Sequence, residues 1–505
     1  MEWGIEMSGK SEEKISKIID TIKSEKIEWI RLQFCDPFGI LQQISVDSND
    51  ITEESFSQGM PRLDGSSIKG FKEIQNSDML LTPDPNTFAI LPEFFDMDYK
   101  EREHTNYRTK AARFFVNINE GYTGKRYSRD SRYIAEQASD VAKNAGFDKC
   151  YFGPEVEFFI FDKIVLGPTP MSTINWSGGT GYSIESREAP WSTDNASGYI
   201  IPVKGGYYPA PPADSLNCAR DEIGSTLSKY FGIHVEAHHH EVATAGQGEI
   251  QIEYDELLPI ADSVITLKKT TKEVAAKRGR VANFMPKPLE VDNGSAMHIS
   301  QSLWTEQNGE KQNTFYDPND EYAELSQTAH YYIGGLLEHA PSLCAITNPT
   351  TNSYRRLVPG FEAPTNLAWS RGNRSACIRI PSHHKNMESR KRIESRIPDP
   401  SANIYLAQSA MLLAGLDGIK KKIQPPDPVD MNIYKLSEKK KRELGIKKLP
   451  VALRSAIDEL ESDDEYLKPV FTADFLESYC EIKQQEHISV FSLPSPREFY
   501  LYSNV

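Results

Sequence analysis

Residues 153–161 read GPEVEFFIF. Beyond Gly153 and Pro154, the run is mostly aromatic and β-branched, the composition of a strand lying against a core. Side chains alternate between faces along a strand, so Glu155 and Glu157, two residues apart, project from the same side. Their neighbours ask for burial. Two bare carboxylates in such a place would repel strongly, because buried charge must be paired, bound to a metal, or shifted in pKa until it is neutral.

Working outward, other acids pose the same problem. In VEAHHHEVATAGQGEIQIEY, residues 235–254, an Ala/Gly/Gln turn joins two alternating segments, which predicts a hairpin with Glu241 on one arm and Glu249 on the other. Glu394 alternates with Arg392 and Arg396 in RKRIESRIPDP, and His298 follows a flexible Asn-Gly turn in DNGSAMHIS. Taken singly, each has an ordinary explanation: an exposed edge, a histidine cluster, a structural salt bridge. Together, five carboxylates and one imidazole form an oxygen-rich set that suits a hard cation such as Mg²⁺ or Mn²⁺ better than structural zinc. Mg²⁺ near several arginines is the equipment of phosphoryl transfer.

The chain has 505 residues and a net charge of −15, which predicts two or more domains and argues against a nucleic-acid or anionic-membrane partner. Acidity of this kind also accompanies carboxylates gathered around cations. The six cysteines are scattered without a CxxC pair, so neither a zinc knuckle nor a disulfide framework is indicated. No apolar run approaches the ~20 residues needed to span a bilayer, and the reading is of a soluble, cytoplasmic protein. GIEMSGKS, residues 4–11, fits the P-loop spacing, but only three residues precede it, too few for the strand that delivers a P-loop to its helix. It reads as a leader before a helix whose core face is Ile15, Ile18, Ile19 and Ile22.

After that helix, residues 27–46 are rich in β-branched and aromatic side chains and are broken by Asp36-Pro37-Phe38-Gly39, a hairpin turn. A small β domain begins here and runs to a polar, Gly-containing stretch near residue 120. We divide the chain into an N-terminal helix, residues 1–25, a β domain, 26–125, and a larger domain, 126–505. A helix is expected from about Ser131 to Ala145. The Ser/Gly/Thr/Asn-rich stretch from Gly167 to Tyr199 reads as a long loop, and SEKKKRELGIKK as a solvated helix face.

The order of several further motifs is distinctive: LDGSSIKGFKEIQNSDMLLTPD, KGGYYPAPPADS, NFMPKPLEVDNGSAMH, NSYRRLVPGFEAP, NRSACIRIP and RIESRIPDPSANIYL. With GPEVEFF and EAHHHEVATAGQGE they make the chain resemble glutamine synthetases of the bacterial and archaeal type I group over nearly its whole length. The resemblance implies an α+β fold: an N-terminal β-grasp domain followed by a catalytic domain of curved antiparallel strands with helices. It also implies a dodecamer of two stacked hexameric rings with active sites between subunits. In that family ATP phosphorylates the γ-carboxylate of glutamate, and ammonia then displaces phosphate to give glutamine.

Transferred to the matching positions, the resemblance assigns Glu157, Glu241 and Glu249 to one metal ion beside glutamate, and Glu155, His298 and Glu394 to a second beside the ATP phosphates. Glu236, Ser302 and Arg392 match nucleotide-binding positions, with Arg374 near the phosphates and Arg379 close by. Asn293 and Gly294, through the backbone, and Arg356 and Arg396 would hold glutamate. Glu362 matches the flap acid that shields the acyl phosphate. Asp64 matches the acid that a neighbouring subunit contributes to bind ammonium, with Tyr207 nearby. Two departures stand out: Ser300 where the family commonly has histidine, and Ser389 where it often has lysine. A hydroxyl replaces a hydrogen bond but not a charge, so weaker phosphate or nucleotide contacts are expected. Tyr434 falls where some relatives are adenylylated, but its basic surroundings argue against that modification. Retention of Asp64, Tyr207 and Glu362 favours ammonia over a larger amine, and retention of all six ligands argues against a catalytically silent ring protein.

Overall fold

A computed structural model describes residues 9–96, 109–167, 181–193 and 198–503. Residues 4–8 of the P-loop-like stretch lie outside this set, and Gly9 opens the first helix, Gly9–Ser24. Its buried face is Ile15, Ile18 and Ile22. That face packs on a six-stranded sheet in the spatial order Leu41–Asp47, Trp29–Cys35, Ala111–Glu120, Asp78–Pro83, Met60–Asp64, with Ala89–Ile90 also paired to Ala111–Glu120. Trp29–Cys35 and Ala111–Glu120 run parallel. The expected hairpin at Asp36 is present: both Phe38 N and Ile40 N donate to Asp36 Oδ1 at 2.9 Å.

The hairpin tip docks on the larger domain. Gly39 has a φ of +80°, and a Cβ there would stand 2.9 Å from Asn403 Cα. Asn403 Nδ2 donates to Asp36 O and caps the almost wholly buried helix Ile404–Lys421. A second tie is Arg132, at the start of the helix Ser131–Asn144 and 1% exposed. Its guanidinium donates to Asp84 and Asn117 of the first sheet's domain and to both oxygens of Asp262 on the helix Leu257–Lys277.

The second sheet has ten strands, seven of them in the order Val235–His240, Gln247–Ile252, Lys149–Phe161, Met297–Gln307, Ile393–Ser395, Ile378–Ile380, Trp369–Arg371. Helices cover its apolar side in the main core. The architecture is therefore α+β, with the strand of Glu155 and Glu157 at the centre of the larger sheet. Of the stretch from Gly167 to Tyr199 read as a loop, residues 168–180 and 194–197 lie outside the described residues; in the remainder Tyr182–Glu185 is a strand, paired with the preceding Lys163–Leu166 as a two-stranded ribbon. Solvent reaches most of this ribbon, so it shows no hydrophobic period to reveal it.

Candidate active site

Strand pairing assembles the acids. Glu157 pairs with Glu249, and Glu249 in turn with His239. Two residues along, Glu155 pairs with Gln251 on one side and His298 on the other. Glu394 pairs with Ser300 and with Arg379. Residues remote in sequence thus share one face because cross-strand neighbours lie only ≈ 4.5–5.5 Å apart.

Glu155, His298 and Glu394 offer one ligand atom each, all within 4.8 Å of one another. Glu394 is gripped by Arg379 and by Arg396, whose Nη1 donates to Oε1 at 2.5 Å. Burial alone would raise the Glu394 carboxyl, but Arg396, His298 and Arg379 outweigh it and hold it at about 2. Burial, seconded by Arg396, lowers His298 to about 3. Burial and the charge of Glu394 raise Glu155. A neutral imidazole beside two carboxylates, one of them raised by burial and by its neighbour's charge, is a donor set that a divalent cation satisfies.

The other group within 4.8 Å among the described residues is His239, Glu241 and Glu249. Glu241 follows the end of its strand rather than lying on it, and its backbone N donates to Gln247 O. Burial, then the charge of Glu249, pushes Glu241 up to about 7. Glu157 is not in this trio, but it is felt there: burial, then Glu241 and Glu249, raise it well above the carboxylate range. Its Oε2 accepts from Ala296 N at 2.8 Å and from Gln247 Nε2 at 3.3 Å.

Both groups open on one cavity of about 1010 Å³, also lined by Asn293, Gly294, Arg356, Glu362, Arg374, Arg379, Arg396, Tyr207 and Tyr434. Several of these present buried polar atoms without a partner: Asn293 Oδ1, Arg379 Nε, Arg396 Nε and the Tyr434 hydroxyl. Orphaned donors and acceptors around a cavity are the imprint of a polar ligand. Only glycine fits at 294, because a Cβ would collide with Pro286 O. Glu362 is exposed, with a φ of 61°, and Tyr207 stacks on Tyr208 at 4.1 Å.

Two sequence patterns match this chain: "Glutamine synthetase, beta-Grasp domain" over residues 26–105 and "Glutamine synthetase, catalytic domain" over residues 128–502. The chain belongs to the glutamine synthetase family. As a glutamine synthetase it makes glutamine from glutamate and ammonia. It is 51% identical over 485 residues to a glutamine synthetase of Sulfolobus acidocaldarius, covering 96% of this chain and 97% of the relative. It is 45% identical over 493 residues to one from Aquifex aeolicus, covering 97% and 98%. A cryo-EM structure of Plasmodium falciparum glutamine synthetase superposes with a TM-score of 0.83 at 27% identity, covering 99% of this chain and all of that one.

Five positions that resemblance assigned to this glutamine synthetase's site lie outside the cavity lining, Glu394 among them, although its ligand atom stays within 4.8 Å of those of Glu155 and His298, which do line it. Glu236 sits at a β-bulge between Val235 and Ala237, an irregularity that re-aims side chains. Ser302 accepts from Trp304 Nε1 at 2.9 Å, and Arg392 Nε donates to Ser300 Oγ at 3.3 Å. Ser300 thus makes the hydrogen bond open to a hydroxyl. Asp64 is exposed on the edge strand of the first sheet, beside a different cavity of about 550 Å³. Among the cavity residues that escaped the sequence reading are His239, Gln247, Lys204 and Phe361. For His239 a signal existed, since it precedes Glu241 by two residues. The other two histidines are spoken for, His240 by Glu188 at 3.1 Å and His238 by Asp221 at 2.9 Å.

Proposed function

We propose that this cavity joins ammonia to glutamate in two stages, ATP first phosphorylating the γ-carboxylate and ammonia then displacing phosphate, with release of glutamine, ADP and phosphate. The observation that supports it most is the pairing of two metal-suited groups with a wall of arginines around one cavity. Glu157, Glu241 and Glu249 would hold one Mg²⁺ or Mn²⁺, with His239 adjacent, and Glu155, His298 and Glu394 the other. Bound there, the two ions would neutralise phosphate oxygens and polarise the carboxylate.

The chain's own residues do the rest. Arg356 and Arg396 bind the carboxylates of glutamate, and Asn293 and Gly294 orient it through the backbone. Arg374 and Arg379 steady the transferred phosphoryl group, while Glu236, Ser302 and Arg392 hold the nucleotide. Glu362 closes over the acyl phosphate and excludes water, which would otherwise hydrolyse it. Ammonium is not a nucleophile until deprotonated, and Asp64 with Tyr207 binds it and takes the proton. Asp64 stands away from its own chain's cavity, its carboxylate aimed by Ser66 and Ser67. That placement supports donation across a subunit boundary, in a cytoplasmic dodecamer of two hexameric rings. Among the described residues no helix is long and apolar enough to cross a membrane. The buried hydroxyl of Tyr434 argues against its adenylylation in this conformation.

The test is phosphate release from ATP with glutamate and Mg²⁺, supplying ammonium or putrescine separately. Release with ammonium alone is expected. Release only with putrescine would make the enzyme a ligase of larger amines, and release with neither would leave a catalytically silent protein. In parallel, Glu157→Ala should abolish turnover with the rings intact.

A further inference from the structure

Phe361 immediately precedes Glu362, whose φ of 61° is a region that non-glycine residues seldom occupy. Such a backbone persists only where its surroundings over-determine it. Here two ammonium groups lie over the Phe361 ring. Lys287 Nζ lies 3.4 Å from the ring centroid and Lys204 Nζ 4.4 Å. Lys204 Nζ also donates to Gly360 O at 2.7 Å, so it grips the backbone as well as the ring.

Both lysines are anchored on Asp292, which is fully buried. Lys287 Nζ donates to the Asp292 carbonyl, and Lys204 N donates to Oδ1 at 3.0 Å. The same carboxylate accepts from Asn293 N at 2.9 Å and from Thr244 N at 2.7 Å. Thr244 lies in the turn between Glu241 and Glu249, and Asn293 adjoins Gly294. One buried acid therefore ties the metal-suited turn and the glutamate-facing loop to the lysines that hold the ring beside Glu362.

We propose that Lys204, Phe361 and Lys287 form a clamp that positions Glu362 over the cavity mouth and thereby keeps water out during the reaction. They are positioning residues, acting through Glu362. The water-excluding half of this inference rests on the function proposed above, whereas the clamp itself does not. Burial lowers the Lys287 ammonium to about 8, with Asp292 opposing and Lys204 assisting, so the charge that the clamp needs is present at neutral pH. A desolvated cation over a ring holds it strongly enough that losing one shifts such an equilibrium on the order of tenfold.

The experiment uses the full-length assembled protein in three variants, Lys287→Met, Phe361→Leu and the conservative Lys287→Arg. Amide hydrogen exchange across residues 357–364 is measured without substrates. Phosphate released per glutamine formed is measured at saturating ammonium, with KM and kcat for glutamate. We expect roughly tenfold faster exchange confined to that segment in the first two variants, and a phosphate-to-glutamine ratio above one, with Lys287→Arg restoring both. Unchanged exchange in both variants overturns the clamp. Faster exchange with a ratio still at one overturns its role in excluding water. Faster exchange in a protein whose unsubstituted form turns over no glutamate would keep the clamp and defeat the reaction scheme instead.

Discussion

Glu157 and Glu249 face each other across adjacent antiparallel strands, so folding itself drives two carboxylates together in a buried place. Like charges directly opposite are destabilising, and a divalent ion that binds only the folded state stabilises it in proportion to its occupancy. Mn²⁺ at 100 times its dissociation constant should therefore add about 2.7 kcal/mol, read as a higher thermal midpoint. Glu157→Gln should raise the midpoint of the metal-free protein and shrink the gain from Mn²⁺. A variant that melts as the parent does, with and without metal, would remove Glu157 from the site.

His339 accounts for a pH dependence far from the cavity. Its ring lies between Asp463 at 2.8 Å and Asp417 at 2.9 Å. Burial lowers it, but hydrogen bonds to Asp463 and Asp417 outweigh burial and raise its pKa overall. A raised histidine contributes stability that is full below the unfolded value of about 6.5 and lost as pH rises through the folded value. His339→Gln should thus destabilise by about 1–3 kcal/mol at pH 6 and by distinctly less at pH 9, checked by denaturant unfolding at both. Equal losses would mean that the imidazole is neutral throughout.

Arg132 offers a test of how the two domains are joined. Its guanidinium is buried between Asp84 and Asp262, and Asp262 and then Asp84 more than offset the effect of burial on its charge. Arg132→Leu would strand two carboxylates and should destabilise by about 3–5 kcal/mol, whereas the triple change with Asp84→Asn and Asp262→Asn should recover much of that loss. No recovery would show that packing rather than charge holds the junction.

At Gly294 there is no room for a methyl group, because Pro286 O occupies the place of a Cβ. Gly294 O also accepts from Gln247 Nε2 at 2.9 Å, which links this loop to the hairpin of Glu249. Gly294→Ala should raise KM for glutamate at least tenfold while leaving KM for ATP near its original value. An equal rise in both would place the loop in nucleotide binding.

The sheet face of the site was legible in the sequence because strands alternate with period two. Glu155 and Glu157 stand out as polar groups at positions that ask for burial, Glu394 stands out between arginines, and His298 behind an Asn-Gly turn. What was hidden depends on registers that no local pattern encodes. Which of three consecutive histidines faces the cavity is decided by pairing His239 to Glu249 and by the bulge at Val235. Asp292, a lone acid before an Asn-Gly turn, gives no hint that it fastens three loops. Arg132 finds Asp84 and Asp262 at separations of 48 and 130 residues, beyond the reach of periodicity.

The most direct measurement is anomalous scattering from crystals soaked in Mn²⁺. Two peaks per chain should appear in the cavity, one about 2 Å from donor atoms of Glu155, His298 and Glu394, the other equally close to Glu157, Glu241 and Glu249. Peaks absent from the cavity, or lying among other side chains, would contradict the account.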